Sequence, residues 1–297
     1  MTTRPHLFSF GHGYSAQALA RILLARGWAV TGSTRDPAKA AAMDAAGVSA
    51  LLPGDDPAPA LRRATHLLVS AAPTDDGDPA IAALGDGLRG VAGSLAWAGY
   101  LSTTGVYGDH GGGWVDETTP LTPATRRGRL RVMAEDQWRQ LAAETGLPLH
   151  IFRLAGIYGP GRGPFAKVRA GTARQIVKPG QVFSRIHVDD IAQVLAASID
   201  RPDPGAVYNV CDNDPAPPQD VLAHAAYLLG LPEPPREDFE TAEMTPMARS
   251  FYAESKRVDN AKMLRDLGVT LHYPDYRSGL AALLAAEDAA ATARSAE

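Results

Sequence analysis

The sequence predicts a doubly wound α/β fold with a parallel sheet and a smaller C-terminal lobe, and three observations carry that expectation. Short apolar runs alternate with helix-patterned stretches from His6 to Leu154. A glycine-rich turn joins the first run to the first helix, and the texture loosens after Tyr158. Strands alternating with helices build βαβ units, whose parallel sheet is covered on both faces.

The elements follow in order. His6–Phe10 (HLFSF) is an apolar run bounded by Pro5 and Gly11 and reads as a buried strand. Ser15–Arg26 puts Ala16, Leu19, Ala20, Leu23 and Leu24 on one helical face, and Gly27 closes it. Trp28–Ser33, Val48–Leu52, His66–Ser70, Gly99–Ser102 and Leu149–Leu154 read as strands, with helices over Pro37–Ala46, Ala80–Ala98 and Arg129–Thr145. Beyond Tyr158, YGPGRGPF is loop-like, a helix starts near Asp189, and prolines cluster at 202–204, 215–218 and 232–235. The expected division is a first domain over 1–158, with 186–212 returning to it, and a lobe built from 159–185 and 213–297. The Ala-rich tail from Glu287 is expected to fray.

Composition narrows the classes. The chain has 297 residues, 45% hydrophobic and 21% charged, as in a soluble globular protein. A net charge of −4 gives no basic field for nucleic acid. The first residues, MTTRPHLFSFGHGYS, are too short in apolar content for a secretory core or a membrane span. Cys211 is the one cysteine, so no disulfide closes within the chain, which suits a reducing cytoplasm. A monomer or homodimer is expected.

GHGYSA, from Gly11 to Ala16, fits G-x-G-x-x-A between a strand and a helix. Gly11 permits a tight turn, Gly13 lets the backbone approach a pyrophosphate, and Ala16 lets the helix pack closely on the strand. The helix N-terminus then offers free N–H groups and the positive end of its dipole to phosphate. Dinucleotide binding is the expectation, with a purely structural turn as the alternative; Tyr14 at the helix start, Ser70 at the end of the fourth strand and Ala71 after it are placed in the same site. The second strand selects the dinucleotide. An NAD site carries an acid about 20 residues on. Here Ser33, Thr34 and Arg35 stand at that point, a guanidinium and two hydroxyls suited to a 2′-phosphate. NADP is the expected cofactor and NAD the alternative; the competing reading of Arg35 is a solvated loop charge. Asp36 comes one residue late and reads as the cap of the helix at Pro37.

These residues, with LSTTGVYGD (Leu101–Asp109), VDETTPLTP (Val115–Pro123), FRLAGIYGPGR (Phe152–Arg162), RIHVDDIA (Arg185–Ala192) and VYNVCDN (Val207–Asn213), resemble the extended short-chain dehydrogenase/reductase superfamily, in its NAD-dependent epimerase/dehydratase branch. The resemblance covers nearly the whole chain. It implies a Rossmann-type domain with a C-terminal substrate lobe, and an oxidoreductase or epimerase-like activity on a small polar or nucleotide-sugar-like substrate. It places the family's assisting Ser/Thr on Thr103. It also places the family's Tyr-x-x-x-Lys pair on Arg127 and Arg131, with Gly128 and Glu135 matching the family around them. The glycine turn departs as well, since most extended members carry G-x-x-G-x-x-G.

Arginine is not deprotonated in proteins, so Arg127 cannot act as the base that a tyrosine provides. A substitute must come from elsewhere. Thr103 and Tyr107 lie in the loop after the fifth strand, at the sheet end where ligands bind, and are the expected catalytic residues. Tyr158, in the next such loop, joins Arg127 and Arg131 as a substrate-binding candidate. The two arginines, four apart, share a helical face suited to a phosphate or carboxylate. The structural alternatives are packing aromatics for Tyr107 and Tyr158, a turn-stabilising hydroxyl for Thr103, and a solvated face for the arginines. Asp189 and Asp190 read as caps, His187 as structural, and the PTDDGDP loop (Asp75, Asp76, Asp78) as a solvated turn, leaving no metal site. The other reading of the whole chain is a non-catalytic NADP-binding redox sensor or scaffold.

Overall fold

Seven parallel strands form the central sheet of the computed structural model, which describes residues 4–295. They are β1 (His6–Phe10), β2 (Ala29–Ser33), β3 (Ser49–Leu51), β4 (His66–Val69), β5 (Trp97–Thr103), β6 (Leu149–Leu154) and β7 (Val207–Val210). Their spatial order is β3-β2-β1-β4-β5-β6-β7, with every neighbouring pair parallel. The order reverses between β1 and β4, which opens a crevice at the carboxyl ends of those strands, the place where sheets of this kind bind ligands.

Alternate residues of each strand feed two cores. Leu7, Leu68, Leu101 and Phe152 face α1 (Tyr14–Ala25), while Phe8, Leu67, Tyr100 and Ile151 face the opposite side. On α1's side lie α2 (Pro37–Ala45) and, later in the chain, a long helix over Val188–Asp200. On the other side lie α3 (Ala58–Arg63), α4 (Pro79–Val91) and α5 (Arg126–Thr145). The doubly wound α/β architecture expected from the alternation is the one observed. Continuing along the chain, α6 (Phe165–Arg169) precedes the Val188–Asp200 helix, α7. Then come α8 (Pro218–Leu228), α9 (Pro246–Phe251), α10 (Ala261–Leu267) and α11 (Tyr276–Ser295). Outside the sheet, Tyr158, Phe165, Ala225, Tyr276 and Leu280 close a separate apolar cluster. Three short parallel pairings tie this region together: 156–158 with 185–187, 175–177 with 236–238, and 114–115 with 257–258.

Several expected boundaries move. Trp97 and Ala98 belong to β5, not to the preceding helix. The Trp97 indole is fully buried, donates from Nε1 to Ser198 Oγ at 3.0 Å, and lies across Gly99, where a Cβ would fall 2.1 Å from the ring. Glycine is required there because the strand carries its own indole folded over the next same-face position. α4 stops at Val91, and a single 3-10 turn separates it from the strand. α5 starts at Arg126, three residues earlier than expected, because Thr125 caps it by accepting the Gly128 N–H at 3.1 Å. α3 was not expected, since six residues show too little periodicity. The tail beyond Glu287 continues as helix to Ser295, pinned by the Arg169–Glu287 ion pair at 2.6 Å. Residues 1–3 and 296–297 of the expected domains lie outside the described residues.

Candidate active site

The glycine turn sits at the crevice between β1 and β4. Gly11 has φ +76°, and a Cβ on it would meet the Ala71 backbone nitrogen at 2.8 Å. The turn therefore needs glycine both for its conformation and for its approach to the end of β4. Ser33 Oγ accepts the Gly11 N–H at 2.8 Å, His12 N donates to Ser33 O at 2.8 Å, and the Ser70 hydroxyl donates to Gly11 O. These bonds fasten the turn to β2 and β4 together. Gly13 differs. Its φ of −89° suits any residue, and its nearest neighbours for a Cβ are Gly11 O at 3.5 Å and Ser70 Oγ at 3.9 Å. Neither packing nor backbone strain demands glycine at 13. What the missing side chain leaves is open space over the start of α1, which no side chain caps. Ala16, third in the pattern, is fully buried against the sheet. The residues fit a pyrophosphate-bearing cofactor.

Around the end of β2, Asp36 caps α2 by accepting from Ala38 N at 2.9 Å, as the sequence suggested. Thr34 Oγ1 accepts from Asp36 N at 3.3 Å. Arg35 is exposed and makes no side-chain hydrogen bond or ion pair among the described residues. His12, in the middle of the turn, escaped the sequence reading. Its ring is buried against β2, where a Cβ on Gly32 would approach it to 2.7 Å, so Gly32 is the signal that a side chain crosses the strand there. Burial, reinforced by Lys39, pulls the imidazole down to about 4, so it is neutral at pH 7. Tyr14 reaches across from α1, its hydroxyl donating to Pro160 O at 2.9 Å, and fastens the turn to the loop after the 156–158 strand.

α5 carries both arginines: Arg131 reaches β5 and the chain just after β4, and Arg127, one turn earlier, reaches α9. Gly128 fixes its approach, since a Cβ there would come within 2.7 Å of both Gly105 O and Pro123. Deeper along the helix, the buried Glu135 receives Arg153 Nη2 at 2.9 Å and the Ser102 hydroxyl at 2.5 Å, locking α5 to β5 and β6. Arg131, half-buried, donates from Nη1 to Leu101 O at 2.8 Å, Tyr100 OH at 3.0 Å and Ala71 O at 3.4 Å. It ties together the chain ends that border the crevice. Arg127, one turn higher, is exposed. Its guanidinium stacks over Phe251 of α9 at 4.4 Å, and Nη2 reaches Ser250 Oγ at 3.5 Å. Thr103 ends β5, half-buried, its Oγ1 accepting the Gly105 N–H at 3.2 Å.

Two expected site residues lie in buried, packed positions. Tyr107 is fully buried, and its hydroxyl donates to Asn209 Oδ1 at 2.7 Å while accepting from Arg153 Nη1 at 2.9 Å. Burial pushes it up to about 12, with Arg153 pulling the other way. A phenol held between two partners, with no exposed surface, is not placed to exchange a proton with a ligand. Tyr158 is also buried. It packs edge-on against His187 at 5.2 Å and under α11, where a Cβ on Gly279 would collide with its hydroxyl. Their burial and partners favour the packing role that the sequence offered as the alternative for each. The acidic candidates are structural: Asp78 caps α4, Asp75 pairs with Arg126, and Asp190 accepts from His272 N and Tyr273 N. His187 Nδ1 caps α7 through Asp189 N. Among the described residues no group of three or more His, Cys, Asp or Glu is arranged for a metal, and no helix is long and apolar enough to cross a membrane.

Comparison with known proteins places this arrangement. The profile of the NAD dependent epimerase/dehydratase family matches residues 98–211. Protein YeeZ of Escherichia coli K12 is 32% identical over 285 residues, which cover 89% of this chain and 95% of YeeZ. The chain belongs to the NAD-dependent epimerase/dehydratase family. Among solved structures, a functionally unknown conserved protein from Silicibacter pomeroyi is 61% identical with a TM-score of 0.91, over 95% of this chain and 99% of that one. A UDP-glucuronic acid 4-epimerase from Bacillus cereus in complex with NAD shares the fold, at 16% identity and a TM-score of 0.75 over 93% and 96% of the two chains. Within this family, the sheet-end crevice with its glycine turn, Thr103 and α5 is the candidate site.

Proposed function

We propose that this chain binds NADP in the β1–β4 crevice and acts as an oxidoreductase or epimerase-like enzyme on a small polar substrate with a non-standard acid/base arrangement. The observation that carries the reading is Gly13: glycine stands where neither packing nor φ requires it, beneath an uncapped helix start. Arg35, exposed and uncommitted beside the Thr34 hydroxyl, supports a 2′-phosphate over a bare ribose. The nicotinamide, when bound, supplies or takes up the hydride.

The chain's own residues do the rest. We read Arg127 and Arg131 as standing in the places of the family's tyrosine and lysine. Neither cycles a proton near neutrality. Arg127 instead offers a fixed guanidinium fork to an anionic group of the substrate. Thr103, whose hydroxyl proton is free while Oγ1 accepts from Gly105 N, donates a hydrogen bond to the oxygen that becomes negative as hydride moves, and that oxygen takes its proton from solvent. Arg131 keeps the strand ends in place. The single buried cysteine suits a cytoplasmic setting, and a monomer or homodimer is part of the same reading.

The reading of a non-catalytic NADP-binding sensor has one specific observation in its favour: Arg131 is committed to three oxygens of the fold itself, where a catalytic cation would face the ligand. The experiment that separates the two follows nicotinamide absorbance with a panel of simple carbonyl compounds and sugar nucleotides. Turnover that falls in Thr103→Ala and Arg127→Ala supports the enzyme. Tight NADP binding with no turnover on any compound supports the sensor.

A further inference from the structure

α9 is a helix without a core. It buries none of its six residues, and it exposes Met247 and Phe251, two of the five large apolar side chains left open in the described residues. Its position is nevertheless fixed from outside. Thr245 caps it through Ala248 N, Arg249 donates to Ala242 O at 2.9 Å and stacks over Phe239, and Lys178 Nζ holds Tyr252 O at 2.5 Å. A helix fastened by its ends and flanks, with its apolar residues facing outward, presents a surface for something else to cover.

Arg127 supplies the second half of that surface. Its guanidinium plane rests on the Phe251 ring at 4.4 Å. Stacking fixes the plane of the group while leaving its in-plane N–H donors pointing outward. Of five donors, only Nη2 has a partner, the Ser250 hydroxyl at 3.5 Å, and no carboxylate pairs with Arg127 among the described residues. Among the neighbouring arginines, Arg126 is paired with Asp75, Arg129 turns its Nη1 back onto Ala124 O, and Arg131 spends its Nη1 on Leu101 O, Tyr100 OH and Ala71 O, whereas the one hydrogen bond of Arg127 among the described residues is a long one to a hydroxyl. Arg127 is therefore a preoriented fork without a charged partner, stacked on the exposed Phe251, with the exposed Met247 one helical turn away along α9.

We propose that α9 and Arg127 together form a recognition wall for an aromatic carboxylate: the carboxylate pairs with the Arg127 fork, and the arene packs on Phe251 and Met247. A carboxylate matches the fork's geometry with two parallel hydrogen bonds. An arene gains from offset stacking on phenylalanine and from contact with a polarisable sulfur, beyond what an aliphatic group of equal area gains. The inference rests on the proposed site, because Arg127 lies one helical turn from Arg131, which reaches β5 and the chain just after β4. It names the substrate class that site accepts.

The test is a calorimetric titration of the full chain with benzoate, benzamide and cyclohexanecarboxylate, each run with and without saturating NADP. Benzoate is expected to bind. Benzamide, which lacks the charge, binds at least tenfold more weakly, and cyclohexanecarboxylate, which lacks the ring, binds several-fold more weakly. Arg127→Gln lowers benzoate affinity at least tenfold, and Phe251→Leu brings benzoate down to the level of cyclohexanecarboxylate. Neither side chain is buried, so both variants keep the wild-type melting temperature. No benzoate binding, equal binding of benzamide, equal binding of cyclohexanecarboxylate, or indifference to either substitution overturns the proposal. The arm without cofactor keeps the two readings apart. Loss of NADP binding or of turnover counts against the proposed function and leaves the benzoate result standing.

Discussion

Replacing Tyr107 by Phe distinguishes a structural phenol from a catalytic one. The hydroxyl bridges Arg153 Nη1 at 2.9 Å and Asn209 Oδ1 at 2.7 Å in a fully buried position. Removing it leaves a buried guanidinium N–H and a buried amide oxygen unpaired, while the ring still fills its volume. Stranding buried partners of this kind costs about 2–3 kcal/mol, since one of them is charged. For a chain of 297 residues, the usual per-residue unfolding entropy converts that to a fall of roughly 3–5 °C in melting temperature. A second signature follows from pH. Burial holds the folded phenol at about 12, above its ordinary value of 10. Its contribution is therefore fully present below pH 10 and is lost as pH rises toward 12, because the unfolded chain ionises first. Tyr107→Phe should show a shallower loss of stability in that window. The assay is chemical denaturation of both proteins from pH 7 to 11, alongside NADP affinity and any turnover found. The reasoning is refuted if the variant keeps full stability and loses more than about 10²-fold in turnover, the scale of a missing acid/base group.

Other outcomes follow from the same geometry. Gly13→Val should fold normally, because its Cβ meets nothing closer than 3.5 Å, yet lose NADP binding; a variant that binds NADP as wild type reduces GHGYSA to a structural turn. Thr103→Ala should lower turnover by at least tenfold while leaving NADP affinity intact, measured by steady-state kinetics and titration, and unchanged turnover removes Thr103 from the mechanism. His12 and His66 are both pulled down to about 4, chiefly by burial. Their folded values lie below the unfolded 6.5, so the stability they contribute is present above pH 6.5 and lost as pH falls through 4. Denaturation between pH 7 and 4 should show this loss, and a smaller one in His66→Gln; identical slopes in the two proteins contradict it.

Much of the fold was legible because its signals are local. HLFSF, GHGYSA and Asp36 before Pro37 each encode a strand, a turn and a cap within a few residues, and each is found where the sequence put it. Trp97 went to the wrong element because an indole folded over Gly99 breaks no rule of helical periodicity. The site was less legible because it is made by long-range convergence. Tyr107 sits five residues from Gly112 and one from Gly108 in a turn that reads as a ligand loop. Its real partners, Arg153 and Asn209, lie 46 and 102 residues away. Likewise Arg127 could be read as solvated or ligand-facing. Only the docking of α9 shows that Phe251 lies under its guanidinium. Sequence spacing indicates which residues share an element, and the tertiary fold decides which of them retain free hydrogen-bonding capacity.

Cofactor selectivity at Arg35 is the most direct measure of the proposed site. Titrating the full chain with NADP and NAD by calorimetry, and repeating both with Arg35→Ala, tests it in one experiment. The predicted result is tighter NADP binding, by a margin worth about 1.5–3 kcal/mol for a charge-assisted contact, with that margin abolished and NAD affinity unchanged in Arg35→Ala. Equal affinity for the two dinucleotides, or an NADP affinity that ignores the loss of Arg35, contradicts it.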